Sequence, residues 1–142
     1  MGKDTKKTAP RGNLPTIEEE TRPYWEGCKR GELLIQRCRV CKSYQFYPRG
    51  FCGECYGKDL EWSKSSGRGT VWTYTVTHRN RDPGFSHMVP YVMAYVELEE
   101  GVKMLTNIVD CDPQSVYIDM PVEVKFEDLS TEITIPLFKP LA

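Results

Sequence analysis

The sequence has no long apolar run, almost no net charge and almost no histidine, and each shortage closes off a class of function. No stretch approaches the ~20 consecutive apolar residues a membrane-spanning helix needs. The basic opening MGKDTKKTAPRGNLP leads into no apolar segment of the kind an export signal carries, so the expectation is a cytoplasmic protein. Nineteen Lys and Arg against twenty Asp and Glu leave a net charge of −1, and the large basic excess of generic polyanion binders is missing. The two histidines are His78 and His87, and no nucleophile elbow, phosphate-cradling loop or dinucleotide fingerprint accompanies them. Internal repeats are absent too, which sets aside solenoids and arrays.

What is present is a soluble-type composition, 39% hydrophobic and 27% charged over 142 residues. That suits one compact unit with a small appendage. Charge is unevenly placed. Residues 22–49 hold seven Lys and Arg against Glu26 and Glu32, a local balance of +5, while residues 97–142 hold ten acids against three lysines, a balance of −7. One end can meet phosphates.

Six cysteines are the strongest signal. Four of them form two Cys-x-x-Cys pairs, Cys38/Cys41 and Cys52/Cys55, ten residues apart in CRVCKSYQFYPRGFCGEC. A Cys-x-x-Cys turn offers two thiolates to one ion, and two such turns complete a tetrahedral shell for zinc, or for iron in the same four-thiolate setting. A reducing cytosol disfavours a disulfide reading, and a thioredoxin-like dithiol needs one pair, not two. Four protein ligands leave a metal no open position, so a zinc here is structural and its binding energy is folding energy for a segment too short to bury its own core. Cys28 and Cys111 are expected as small buried hydrophobes.

The chain divides into four stretches. Residues 1–15 are expected as a flexible tail. Residues 16–32 read as a helix, with Thr16 and Glu19 at capping-box spacing, Ile17, Tyr24, Trp25 and Cys28 near one face, Pro23 as a kink or restart, and Gly31 as the stop. Residues 33–66 carry the cysteine pairs between a strand at Leu33–Ile35 and a strand at Leu60–Trp62. From residue 67 to 142 the period becomes two. In TVWTYTVTH, Trp72, Tyr74 and Val76 are expected on the buried face, and YVMAYVELE, VKMLTNIVD, VEVKFED and EITIPLF supply four more strands. Five short strands predict a small barrel. The segment RNRDPGFSHMVPY, residues 79–91, is long for a hairpin turn and mixes Arg79 and Arg81 with Phe85, Met88 and Pro90, as a ligand- or partner-binding loop would.

Taken in order, YWEGCKRGELLIQRCRVC, YPRGFCGEC, LEWSKSSGRGTVWTYTVTHR, PYVMAYVELEEGVKMLTNIVDCD and MPVEVKFED resemble the family of zinc-ribbon, OB-fold proteins associated with acyl-CoA metabolism. The resemblance spans residues 20–140. It implies a mainly β fold: an N-terminal helix, a rubredoxin-like zinc ribbon and a five-stranded OB-fold barrel. It also implies a non-catalytic accessory subunit whose thiolase-fold partner, a thiolase or an acyl-CoA aldolase, holds the catalytic residues. The small subunit would help bind the CoA moiety and shape the acyl-CoA channel in a thiolytic or retro-aldol/Claisen reaction. On that reading the contacts to CoA or partner fall to Tyr24, Trp25, Arg37, Arg49, Arg79, Arg81, Phe85 and His87, because CoA joins a phosphorylated nucleotide to a long pantetheine arm and needs cations beside apolar walls. Where many relatives have glycine after the first pair and Pro-Pro before Arg49, this chain has Lys42 and Tyr47-Pro48; the ligands are spared and the surface of the knuckle is changed. Two other readings stay open: a nucleic-acid-binding ribbon and barrel, and a small rubredoxin-like redox carrier.

Overall fold

A computed structural model describes residues 14–141. Residues 1–13, most of the expected tail, lie outside the described residues. The described residues are mainly β, with one α-helix, a three-stranded ribbon and a closed five-stranded barrel.

The helix starts later than its polar approach suggested. Residues 14–18 are non-helical, Glu19–Thr21 form a single 3-10 turn, and α1 runs Arg22–Arg30. Pro23 decides this: deep inside a helix it would remove a hydrogen bond and clash with the preceding turn, whereas in the first turn its missing N–H costs nothing. The Thr16 capping box is therefore not formed. Thr21 instead turns the chain, its hydroxyl accepting from the Glu18 N–H at 3.3 Å and donating to the Glu18 carbonyl at 3.2 Å. At the other end Gly31 adopts φ of 79°, a conformation a side chain resists, and Gly31 N to Cys28 O (3.0 Å) with Glu32 N to Gly27 O (2.8 Å) close the helix as a Schellman motif.

In the ribbon, β1 (Leu34–Cys38) lies between β2 (Tyr44–Gln45) and β3 (Leu60–Lys64), all antiparallel. The barrel comprises β4 (Arg68–Thr77), β5 (Tyr91–Leu98), β6 (Lys103–Ile108), β7 (Pro121–Asp128) and β8 (Thr134–Pro140), in the order β4-β5-β6-β8-β7 with β7 returning to β4. Closure pairs every strand on both sides and removes exposed edges.

One expected alternation fails. Val71 pairs with Val96 and Thr73 with Tyr95, so Trp72 is the extra residue of a β-bulge. The bulge resets the face: Val71 is fully buried, Trp72 is 51% exposed, and Tyr74 and Val76 point back toward the core side. Strict period two from Trp72 would have buried it.

A single apolar cluster ties the parts together. Tyr24, Trp25 and Cys28 of α1 join Leu33 and Ile35 of the ribbon and Val71, Val96, Val122 and Phe138 of the barrel. The helix is thus packed between ribbon and barrel, and Lys29 Nζ donates to the Thr131 carbonyl in the β7–β8 turn. At the junction, Glu100 of the β5–β6 turn accepts from Ser65 Oγ and from Ser66 N, both at 2.9 Å. Among the described residues no helix is long and apolar enough to cross a membrane.

Candidate metal centre and contact surfaces

The two cysteine pairs sit on matching knuckles. In the first, Lys42 N donates to Cys38 O and Cys41 N to Cys38 Sγ; in the second, Tyr56 N donates to Cys52 O, and Glu54 N and Cys55 N to Cys52 Sγ. Lys42 and Tyr56, each just past the second cysteine of its pair, take positive φ of 67° and 62°. Each turn thereby aims both of its sulfurs the same way while its amides point at the leading thiolate.

The result brings all four sulfurs together, within 4.8 Å of one another, with Cys38 to Cys55 and Cys41 to Cys52 at 3.6 Å. A tetrahedron of Zn–S bonds near 2.3 Å has edges of about 3.8 Å, so the donor set fits zinc. Cys38 and Cys52 are buried, Cys41 and Cys55 exposed. Crowding separates the thiols electrostatically. The Cys38 thiol is lowered, first by the Cys41 amide. Cys41 is lowered to about 6, chiefly by the Ser43 hydroxyl. At Cys55 the Gly57 amide pulls downward but the neighbouring thiols outweigh it, raising the group to about 11. A dication at the centre reverses that last penalty, because it favours every thiolate at once. Cys28 is buried beside Tyr24 and desolvation pushes it up to about 12, whereas Cys111 is half-buried and not the core residue expected.

The expected contact residues do not share one site. Tyr24 and Trp25 are 3% and 6% exposed and meet edge-on at 4.8 Å. They are core residues, so the contact role expected of them is corrected to a packing role. Arg37 is half-buried, its guanidinium 5.3 Å from the Tyr44 ring centroid. Exposed Arg49 lies on the rim of a polar cleft of about 520 Å³ between ribbon and barrel, with Tyr44, Phe46, Glu54 and Lys103. Its backbone is held by buried Gln36, which donates to Arg49 O at 2.8 Å and accepts from Arg49 N at 2.9 Å.

Arg79, Arg81, Phe85 and His87 sit together on the β4–β5 loop. Its shape is built, not slack: Asn80 accepts from Asp82 N and donates to the Tyr91 hydroxyl at 2.8 Å, Asp82 accepts from Gly84 N at 2.7 Å, and Ser86–Met88 form a 3-10 turn. Both arginines and His87 are exposed, and Phe85 packs against Tyr91 with centroids 6.0 Å apart. Two features escaped the sequence reading. Lys103 joins Arg49 in the cleft through distant pairing. Trp72, Met93, Tyr95 and Leu105 stand exposed on the outer barrel face, a feature foreshadowed by YVMAYV, which is apolar at odd and even positions alike.

Comparison with known proteins follows the same two parts. Residues 25–61 match the family model described as the ChsH2 rubredoxin-like zinc ribbon domain, and residues 62–127 the ChsH2 C-terminal OB-fold domain. A DUF35 domain-containing scaffold protein of Methanocaldococcus jannaschii is 40% identical over 110 residues, covering 76% of this chain and 77% of that protein. A probable enoyl-CoA hydratase alpha subunit of Thermomonospora curvata is 36% identical over 126 residues, or 89% of this chain and 39% of that protein. The chain thus spans about two fifths of that relative. Among solved structures, the one described as Ltp2-ChsH2(DUF35) aldolase superposes with a TM-score of 0.80 at 35% identity, covering 89% of this chain and 98% of the matched chain. With zinc ribbon and OB-fold barrel each matched, the chain belongs to the DUF35 family of ChsH2-type zinc-ribbon, OB-fold proteins.

Proposed function

We propose that this chain is the non-catalytic subunit of a thiolase-fold enzyme that makes or breaks a carbon–carbon bond next to an acyl-CoA thioester. The observation that carries the reading is the aldolase match, in which nearly the whole of the matched chain, 98%, superposes on this one at 35% identity. The four-cysteine shell supports it, since a zinc held by Cys38, Cys41, Cys52 and Cys55 supplies folding energy and stiffness and leaves no position for substrate.

In this role the chain binds and orients. Exposed Arg79 and Arg81 offer cations to the CoA phosphates, His87 offers a ring N–H, and Phe85 offers an apolar wall beside them. Arg49 and Lys103 form a second cationic pair at the ribbon–barrel cleft. Rigid support for these groups comes from the hydrogen-bonded loop and from the packed helix, so a bound thioester is presented in a fixed direction. Bond making is left to the partner's catalytic residues.

The nucleic-acid reading has exposed Trp72 and Tyr95 in its favour, but on the strands that carry them, β4 from Thr73 onward, β5 and β6, Lys103 is the one Lys or Arg, and Glu97 pairs with it at 3.5 Å. Stacking without a basic track binds single strands weakly. The deciding experiment is co-purification from the native host, identification of the companion chain, and reconstitution of the two recombinant chains. The expected result is a thiolase-fold companion whose turnover of acyl-CoA drops when this chain is omitted. Recovery of no such companion, or thioester turnover by this chain alone, overturns the proposal.

A further inference from the structure

Three-strand register builds a continuous uncharged strip on the outside of the barrel. Tyr95 of β5 lies opposite Thr73 of β4 and Leu105 of β6; one step along, Met93 lies opposite Thr75 and Asn107. Trp72, turned outward by the bulge, stands edge-on to Tyr95 at 6.3 Å and 83°, with Lys103 Nζ 4.8 Å from its ring centroid. Trp72 and Leu105 are each 51% exposed and Tyr95 42%. Two shallow hollows open along the strip, one bordered by Thr73, Tyr95 and Leu105 and one by Phe85, Tyr91 and Asn107. They share Met93 and Leu105, so the strip runs unbroken from Trp72 to the β4–β5 loop. Its one charged pair, Glu97 with Lys103, sits at the far end.

The composition is that of an interface centre. Aromatic residues and methionine are enriched there, charge is excluded to the rim, and fully desolvated Trp and Tyr carry most of the binding energy. A bulge placed mid-strand in a closed barrel has no edge to protect, and its effect here is to move a tryptophan from inside to outside.

The strip's size says what covers it. Three strands about 4.8 Å apart and seven residues at about 3.3 Å rise give a flat area on the order of 300 Å². Two copies meeting face to face would bury roughly 600 Å² in total, well short of the ~1,200–2,000 Å² of a stable interface. A larger partner that covers the contiguous β4–β5 loop as well as the strip meets more of this chain than the strip alone offers.

We infer that the Trp72–Met93–Tyr95–Leu105 strip, continued by Phe85, is the surface on which the catalytic subunit docks. This rests on the partner assignment proposed above and adds the place of contact. It also sets Arg79, Arg81 and His87 at the rim of the interface, so that CoA phosphates bind along the seam between the two chains.

The test measures affinity of the full chain for the recombinant thiolase-fold companion identified by co-purification, using sedimentation and calorimetry. Leu105→Glu and Tyr95→Glu are each expected to weaken binding at least tenfold, Tyr95→Phe to retain it, and Ile118→Glu, an equally exposed apolar site between β6 and β7, to leave it unchanged. Unaltered thermal unfolding and zinc content show that the variants fold. If the wild-type chain binds the companion and both glutamate variants bind equally well, the strip is refuted while the partner assignment stands. If the wild-type chain binds no companion, the assignment falls and the strip with it. A wild-type chain that sediments alone as a dimer and is made monomeric by Leu105→Glu also overturns the inference, giving the strip to a second copy.

Discussion

Replacing Cys41 by serine separates metal binding from packing. Cys41 is exposed, so the substitution opens no core cavity and exchanges a single atom; at an ordinary surface site such a change stays within about 0.5 kcal/mol. If the sulfur is a zinc ligand, the loss is much larger. Structural zinc contributes about 10–16 kcal/mol in small zinc domains, and one ligand's quarter share is about 2.5–4 kcal/mol. The ribbon's Leu33 and Ile35 belong to the same apolar cluster as Phe138 of the barrel, so the loss is felt through the whole chain. At about 3 °C per kcal/mol for a chain of this length, Cys41→Ser should lower the melting temperature by about 8–12 °C. Chelator should move the wild type by at least as much and the variant by less. Val40, 67% exposed in the same knuckle and not a ligand, is the control: Val40→Ser should melt within about 1.5 °C of wild type. Metal analysis should find one zinc per wild-type chain. Equal melting of Cys41→Ser, Val40→Ser and wild type, all indifferent to chelator, would refute the closed-shell account.

Further expectations follow from the knuckle, the junction and the core. Lys42 holds φ of 67°, and left-handed backbone costs a side-chain-bearing residue about 1–2 kcal/mol, so Lys42→Gly should raise the melting temperature by a few degrees. Glu100→Ala removes two hydrogen bonds to Ser65 and Ser66; discounted for partial exposure, the loss should be about 1–2 kcal/mol, with faster amide exchange at Ser66 and Gly67. Cys28, pushed up to about 12 by burial, keeps its proton in the fold while the unfolded chain loses it near 8.5. The unfolded state then binds fewer protons, so stability falls as pH rises from about 8.5 toward 12, and Cys28→Ala should flatten that slope in denaturant titrations.

The features legible in the sequence are those fixed by local chemistry. Two Cys-x-x-Cys turns declare a four-sulfur shell by spacing alone, Gly31 after Lys29 and Arg30 declares a helix stop, and all five barrel strands follow from period-two runs. The misreadings share a cause, which is that a neighbour outside the local window decides. Trp72 is thrown outward because β5 skips one pairing opposite it. Tyr24 and Trp25 read as amphipathic aromatics free to meet a ligand, but the ribbon on one side and the barrel on the other bury both. The strip on β4, β5 and β6 needs the register of three strands before Met93, Tyr95 and Leu105 can be seen as one surface.

The devices that hold this fold also determine which surface it can lend. A ribbon this short cannot bury its own core, so metal and helix must stiffen it, and α1 is spent on that task with its buried face turned inward to Leu33 and Phe138. A barrel closed by β4–β7 pairing has no free strand at its edge, so on the barrel recognition falls to side-chain faces. Of those faces, the one spanning β4, β5 and β6 keeps its apolar residues outside because the bulge places Trp72 there and the β5 run is apolar on both sides. Neither is needed for the core, which Val71, Val96 and Phe138 already fill at full burial. An outward Trp, Met, Tyr and Leu that the core does not require is solubility forgone in the isolated chain, and a permanent subunit contact removes that disadvantage. The same reasoning says where solubility is lost: produced without its companion, the chain should gain soluble yield from Leu105→Glu, with the melting temperature unchanged.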